Sequence, residues 1–141
     1  MTYLMIHGNH EMRPATVDRY RRVQWNGGMV YQEERFSNLL LVKDGELYRL
    51  GGKDVLAIGG AYSVDKEYRL RMGYRWFSDE QPSDEIKEYV EQQLDKTGWK
   101  VDAVLSHTFP RKYEPVEHFM SGIDQSKVLI SIYICNKRLH P

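Results

Sequence analysis

Four consecutive residues near the start of the chain, Gly8-Asn9-His10-Glu11, combine side chains that could bind a metal and move a proton. Asn9 offers a neutral carbonyl oxygen to a metal ion, and His10 offers either a ligand nitrogen or a proton near neutral pH. Gly8 permits the sharp turn that would aim both side chains into one cavity. A polar turn that caps a following helix is the alternative, and the four residues alone favour neither.

His107 is the second candidate for a metal ligand. It follows the apolar run Val104-Leu105-Ser106, so a buried strand would hold its ring in place. The commoner role of a lone histidine in such a position is a hydrogen-bonded loop residue, and this alternative stays open. The remaining histidines, His7, His118 and His140, are weaker candidates.

The elements that must position these residues follow from the apolar pattern and the glycines, which predict a mixed α/β chain. Predicted strands cover residues 4–6, 29–31, 38–42, 46–50, 55–58 and 99–106. Predicted helices cover residues 14–24, 67–76 and 82–98. Asp44-Gly45 and Gly51-Gly52 are expected to form tight turns of a meander or of hairpins.

Both histidine-bearing loops, residues 7–11 and 106–110, directly follow predicted strands. Ligands of α/β proteins gather beyond the carboxyl ends of strands. We therefore expect the two loops to be neighbours in the fold, although they lie at opposite ends of the stretch for which strands and helices are predicted.

Composition bounds the class of protein. The 141 residues suit a single domain over 1–141, with 41% apolar and 28% charged residues. A net charge of zero argues against a protein whose main task is to bind nucleic acid or an anionic membrane. The single cysteine, Cys135, the short apolar runs and the polar residues that follow the first strand predict a cytoplasmic chain without a membrane anchor.

Three blocks of the sequence resemble the calcineurin-like metallophosphoesterases, most closely the small bacterial and phage members of the serine/threonine phosphatase-like type. The blocks are residues 8–11, 57–66 and 105–110, and the resemblance extends from about Tyr3 to about Lys127. It implies an α/β fold with a two-sheet β-sandwich flanked by helices. It also implies hydrolysis of a phosphorylated substrate through two divalent metal ions, with manganese, iron and zinc as the candidates.

The resemblance assigns roles residue by residue. Asn9 and His107 correspond to ligands of the same metal ion, and His10 corresponds to the histidine that contacts the phosphate and protonates the leaving oxygen. Further candidates on the substrate side come from the middle block and are Ser63, Asp65, Lys66 and Arg69.

The sequence also departs from the family pattern. It lacks the Asp-x-His strand, the Gly-Asp-x-x-Asp loop and the late Gly-His-x-His, which supply the other metal ligands. Two neutral ligands cannot hold a two-metal centre at ordinary metal concentrations. We therefore expect a fragment of an enzyme with weak or no activity, and residues 128–141 are interpreted as a non-native tail or as an ordinary final strand.

Two other classes remain as alternatives. A nucleic-acid-binding module could use a group of basic and aromatic residues, although a solvated helix face explains the same pattern; the group is Arg13, Arg19, Tyr20, Arg21, Arg22 and Trp25. A non-catalytic remnant of the scaffold could act by interaction alone.

Overall fold

The computed structural model describes residues 1–108. The predictions for residues 128–141 and the candidates His118, Cys135 and His140 lie outside the described residues. Within residues 1–108 the protein is a mixed α/β structure with two small β-sheets and few helices. The predicted fold class is therefore confirmed at this level.

The first sheet has four strands in the order β1-β4-β3-β2. β1 runs parallel to β4, and the other pairs are antiparallel. The strands are β1 (Tyr3–Met5), β2 (Tyr20–Trp25), β3 (Gly28–Glu33) and β4 (Leu39–Val42). Short 3-10 helices at Pro14–Thr16 and Glu34–Phe36 lie between them.

The second sheet has three strands in the order β5-β6-β7. The strands are β5 (Leu47–Leu50), β6 (Lys53–Ile58) and β7 (Ala103–Ser106). β5 and β6 form the hairpin that Gly51-Gly52 predicts, with both glycines at positive φ. β7 returns parallel to β6, so the carboxyl ends of β6 and β7 lie at the same edge.

The prediction that Asp44-Gly45 joins two strands of one meander is wrong, because the chain passes there from the first sheet to the second. Gly45 has φ +83°, and its amide donates to the Ala57 carbonyl at 2.8 Å. A Cβ at this position would lie 2.7 Å from the ring of Tyr89. Glycine is thus required for two reasons, the positive φ and the lack of room for a Cβ beside the Tyr89 ring.

The predicted helix over residues 14–24 is also wrong. The 3-10 turn ends at Thr16, and β2 pairs with β3 along its whole length, from Tyr20↔Glu33 to Trp25↔Gly28. Asn26 and Gly27 have φ values of 45° and 93°, as a two-residue hairpin turn of the Asn-Gly type requires. Cross-strand pairing therefore overrides the local helical pattern.

The two remaining helix predictions are confirmed with shorter bounds. They are α1 (Lys66–Arg71) and α2 (Asp84–Lys96). Ser83 caps α2 by accepting a hydrogen bond from the Ile86 amide, as the sequence predicts. Among residues 1–108 there is no helix of the length and apolarity that a membrane span needs.

Two apolar clusters form the core of the described residues, and the first draws side chains from both sheets. The first cluster centres on Val30, Leu40, Val42, Tyr48 and Ala57. The second joins β6 to α2 and centres on Leu56, Ile58, Val90 and Leu94. The buried face of α2 thus fixes the second sheet, whose strands β6 and β7 lead into the loops described next.

Between the sheets and α2 lies a compact polar group, here called the Glu46 cluster, formed by Lys43, Glu46 and Tyr89. The Lys43 ammonium and the Tyr89 hydroxyl donate to the same Glu46 oxygen at 2.7 and 2.6 Å. The other Glu46 oxygen accepts from the Met29 amide at 3.1 Å. This cluster therefore ties β3, the crossover between the sheets and α2 together.

Candidate functional site

The loops that follow β1 and β7 meet, although they belong to different sheets. The Asn9 Oδ1 and His107 Nε2 atoms are 3.1 Å apart across 98 positions of sequence. A Cβ at Gly8 would lie 3.2 Å from His107 Cε1, so the glycine leaves room for the ring. The prediction that the two histidine-bearing loops are neighbours is confirmed.

The Gly8–Glu11 segment forms a turn closed by its own side chain. The Gly8 amide donates to Glu11 Oε2 at 2.8 Å. The following 3-10 helix begins after Arg13 and has no side-chain cap. The turn therefore does not have the capping role that was its alternative, and it presents Asn9 and His10 instead.

The amide nitrogen of Asn9, on the side away from His107, contacts a buried serine. Asn9 Nδ2 donates to Ser63 Oγ at 3.0 Å. Ser63 is fully buried, and both its amide and its hydroxyl donate to the carboxylate of Glu80, at 3.0 and 2.5 Å. Asn9 is consequently held from behind by a chain of hydrogen bonds that runs into the protein interior.

His10 lies between two charged residues of the α1 region. Its Nε2 is 3.1 Å from Asp65 Oδ1, and its Nδ1 is 3.5 Å from Arg69 Nη1. Arg69 and Asp65 also pair with each other at 3.6 Å. The His10 side chain is 43% exposed, so the imidazole remains accessible to a ligand. We call Asn9, His10, Asp65, Arg69 and His107 together the Asn9 cluster.

Helix α1 explains how Asp65 and Arg69 come to share one side. Asp65 is the residue that precedes the helix, and Arg69 follows one turn later. The Arg69 guanidinium is fixed because its Nε donates to the Arg75 carbonyl at 2.9 Å. Lys66, the remaining candidate, lies elsewhere: its ammonium is 4.0 Å from the centre of the Trp76 ring. The structure does not bring Lys66 into the cluster.

A layer of buried charge supports the loops from below. The Arg13 guanidinium pairs with the Asp44 carboxylate and also donates to the carbonyl oxygens of Asp79 and Glu80. Asp44 in turn accepts from the Gly59 amide at 2.6 Å. This pair therefore joins the segment at Glu80 to the end of β6, which leads to Ser63.

His7 lies within the same layer. It is 1% exposed, and neither ring nitrogen has a hydrogen-bond partner among residues 1–108. Burial lowers the pKa of His7 below its ordinary value, and the Asp44 carboxylate, 3.9 Å away, offsets this only in part. His7 therefore packs as a neutral ring against Gly59, where no larger residue fits.

The Asn9–His107 pair fits one side of a metal coordination shell. Two ligand atoms, each about 2.1 Å from a cation and at right angles to each other, are about 3 Å apart. Within residues 1–108 no group of three or more histidine, cysteine, aspartate or glutamate side chains could hold a metal ion. The described residues thus fit two ligands of one cation and do not fit a complete two-metal centre.

The basic group considered for nucleic-acid binding is dispersed. Arg13 is buried against Asp44. Arg19 and Arg21 lie 3.9 and 3.8 Å from the carboxylates of Glu33 and Glu34. Tyr20–Trp25 form β2 and not a helix, so a solvated helix face, the alternative explanation of this group, is wrong.

Sequence reasoning missed Asp44, Arg13 and Glu80 as parts of the site. In the sequence Asp44 is part of a predicted turn, Arg13 belongs to the basic group considered for nucleic-acid binding, and Glu80 stands in a polar stretch with no periodic pattern. Their roles arise from contacts between segments, for which the sequence carries no local signal.

Neither the models of known families, nor the curated proteins, nor the solved structures contain a match to this chain. The candidate site therefore has to be interpreted from its own geometry and chemistry.

Proposed function

We propose that the chain is a cytoplasmic, metal-dependent phosphoesterase with the sandwich architecture of the calcineurin-like family, which hydrolyses phosphate esters. The convergence of Asn9 and His107 beside the paired His10 and Arg69 carries the proposal. A pair of metal ligands and a pair of phosphate-binding side chains are two parts that such a reaction uses.

Arg69 and His10 are the phosphate-binding part. A guanidinium donates two parallel hydrogen bonds to phosphate oxygens, and Arg69 is held facing His10 by its bond to the Arg75 carbonyl. The 3.5 Å contact between Arg69 and His10 Nδ1 is long for a hydrogen bond, so a phosphate oxygen can replace it at little cost.

His10 is the proton donor to the leaving oxygen. Its Nε2 is engaged by Asp65, which fixes the orientation of the ring. Its Nδ1 accepts the long contact from Arg69, so Nδ1 can carry the proton for transfer once Arg69 donates to a phosphate oxygen instead. Asp65 therefore acts as a positioning residue for His10.

Asn9 and His107 would hold one cation of the pair, with manganese, iron and zinc all suited to oxygen and nitrogen ligands. A cation at this position supplies polarisation of the phosphate oxygens and activation of the attacking water. Because the described residues provide two such ligands, we expect slow turnover.

The test is hydrolysis of p-nitrophenyl phosphate and of bis(p-nitrophenyl) phosphate by the full chain, with each of the three metals in turn. We expect slow, metal-dependent release of nitrophenol that His10→Ala and Asn9→Ala abolish. Arg22→Ala and Asn38→Ala, both at exposed positions outside the cluster, are the matched controls and should keep the wild-type rate. Equal rates in all five proteins would contradict the proposal and favour the non-catalytic alternative.

A further inference from the structure

We infer that Glu80, which lies behind the cluster, determines through Ser63 which atom of the Asn9 amide faces His107. Glu80 and Ser63 are positioning residues in this interpretation. The inference concerns a hydrogen-bond polarity that exists without any metal, and only its consequence for metal binding rests on the proposed function.

The first step is the direction of the Ser63 hydroxyl. A carboxylate accepts hydrogen bonds and donates none, and Glu80 is 3% exposed with one oxygen already taken by the Ser63 amide. The Ser63 hydroxyl lies 2.5 Å from the other oxygen. The single proton of that hydroxyl must therefore point at Glu80.

The second step transmits this direction to Asn9. With its proton committed, Ser63 Oγ can only accept, and Ser63 is fully buried. The atom that Asn9 places 3.0 Å from Ser63 Oγ must then be the donor, Nδ2. The carbonyl atom Oδ1 is left on the opposite side, 3.1 Å from His107 Nε2.

The third step is the rigidity of Glu80. The Arg13 guanidinium binds the carbonyl oxygens of Asp79 and Glu80, and it is itself paired with the buried Asp44. Gly60 has φ +78° and packs directly on the Glu80 carbonyl, where a Cβ would not fit. The backbone that carries the Glu80 side chain is therefore fixed, and the carboxylate is held by its two bonds to Ser63.

The consequence concerns the ligand atom. An amide binds a cation through its oxygen, since the nitrogen has no free lone pair. If the Asn9 amide were reversed, the pair that faces a cation would be an NH2 group and a ring nitrogen. The polarity set by Glu80 is thus a condition for Asn9 to act as a ligand.

Glu80→Gln tests the inference, because it keeps the shape of the side chain and places a hydrogen-bond donor where an acceptor faces Ser63 Oγ. The Ser63 amide still needs an acceptor, so the glutamine oxygen stays there and its NH2 group faces Ser63 Oγ. The Ser63 hydroxyl then donates to position 9, and the Asn9 amide turns over. Its NH2 group faces His107, so His107 Nε2 becomes an acceptor and the ring proton moves to Nδ1.

The readout is the tautomer of His107, measured by 15N NMR on the full chain, metal-free and with neutral histidines. We expect the Nε2–H form in the wild type and mainly the Nδ1–H form in Glu80→Gln. Glu88→Gln, the same substitution at an exposed position of α2, should resemble the wild type. A folded Glu80→Gln protein with the wild-type tautomer overturns the inference.

A second substitution makes the test independent of the stability of the first variant. In Asn9→Asp/Glu80→Gln, one Asp oxygen accepts from Ser63 and the other accepts from His107, so the Nε2–H form returns. If Glu80→Gln does not fold because the Asn9 amide cannot turn over, the double variant should fold, because an Asp at position 9 accepts from Ser63 without turning over. Failure of the double variant to restore either the tautomer or folding would also overturn the inference.

Manganese binding by the same proteins separates this inference from the proposed function. We expect Glu80→Gln to weaken Mn²⁺ binding by about 10- to 100-fold, and the double variant to recover it. A wild-type chain that binds no Mn²⁺ but shows the tautomer switch would refute the proposed function and leave the polarity established. If Glu80→Gln leaves Mn²⁺ binding unchanged, the link between the polarity of the Asn9 amide and metal binding is refuted.

Discussion

The Glu46 cluster and the Asn9 cluster are both groups of hydrogen-bonded polar and charged side chains, but they differ in exposure. In the Glu46 cluster the carboxylate is 11% exposed, and its oxygens accept from Lys43, Tyr89 and the Met29 amide. In the Asn9 cluster His10 and Asp65 are 43% and 38% exposed. The first group is closed around its own partners, whereas the second presents polar atoms to the surroundings.

The difference lies in where the partners come from. Lys43 and Glu46 are three positions apart in the crossover between the sheets, and Tyr89 on α2, 43 positions from Glu46, completes the cluster. His10 and Asp65 are 55 positions apart, and Asn9 and His107 are 98 apart. Exposed ion pairs contribute little to stability, so we expect the Asn9 cluster to contribute little to folding. We therefore expect changes in the Glu46 cluster to alter stability, and changes in the Asn9 cluster to alter activity.

His10→Ala should have the largest effect. Removing a proton donor costs about 100- to 10,000-fold in rate, while an exposed side chain contributes little to folding. The measurement is the rate of phosphate ester hydrolysis together with the midpoint of thermal unfolding. A large fall in the midpoint of thermal unfolding would show that the Asn9 cluster stabilises the fold as the Glu46 cluster does, which would contradict the comparison.

Glu46→Ala should give the converse result. It leaves the Met29 amide, the Tyr89 hydroxyl and the Lys43 ammonium without their shared acceptor, and a lost charged hydrogen-bond partner costs about 2 kcal/mol. Denaturant unfolding should show this loss, with the specific activity of the folded protein unchanged. Glu88→Gln serves again as the exposed control, and loss of activity in proportion to that of His10→Ala would count against the comparison.

Lowering the pH should weaken the Glu46 cluster. Burial alone would raise the pKa of Glu46, but the hydrogen bonds from Lys43, Tyr89 and Met29 outweigh burial and hold the pKa below its ordinary value of 4.5. The folded state therefore gains stability from this group above pH 4.5 and loses it as the pH falls through the lower folded pKa. Unfolding measured between pH 6 and pH 3 should show this loss in the wild type, and a smaller one in Glu46→Gln.

Ser83→Ala should have the smallest effect. Its hydroxyl accepts from the Ile86 amide at 3.4 Å and caps the helix that carries Tyr89 to Glu46. Loss of such a cap costs about 1 kcal/mol. Thermal unfolding should detect the change, with activity again unaffected; Ser37→Ala, outside α2, should leave the midpoint in place.

Most of the strands and helices could be predicted from local pattern, whereas the pairing of the strands into two sheets could not. Apolar runs identified β1 and β3 to β7, and the Ser83 cap and the apolar spacing identified α2. The helix predicted between Pro14 and Gln24 is wrong. Its residues allow a helix, but pairing with β3 across the Asn26-Gly27 turn stabilises a strand instead. Pairing energy of this kind is absent from any local window of sequence.

The residues of the candidate site also fall into a group that the sequence could identify and a group that it could not. Asn9, His10 and His107 could be selected because their residue types and their positions after strands suggest chemistry. Glu80 and Asp44 could not, because each acts on a segment distant in sequence through a buried hydrogen bond. The residues proposed to contact a ligand are thus easier to predict from the sequence than the buried residues that hold them in place.

The most direct test of the central claim is calorimetric titration of the metal-free full chain with Mn²⁺, compared with Asn9→Ala and His107→Ala. The account predicts binding in the wild type that each substitution weakens by at least about 10-fold, with Asn38→Ala unchanged. Equal binding by all four proteins, or none by the wild type, would contradict the assignment of Asn9 and His107 as ligands of one cation.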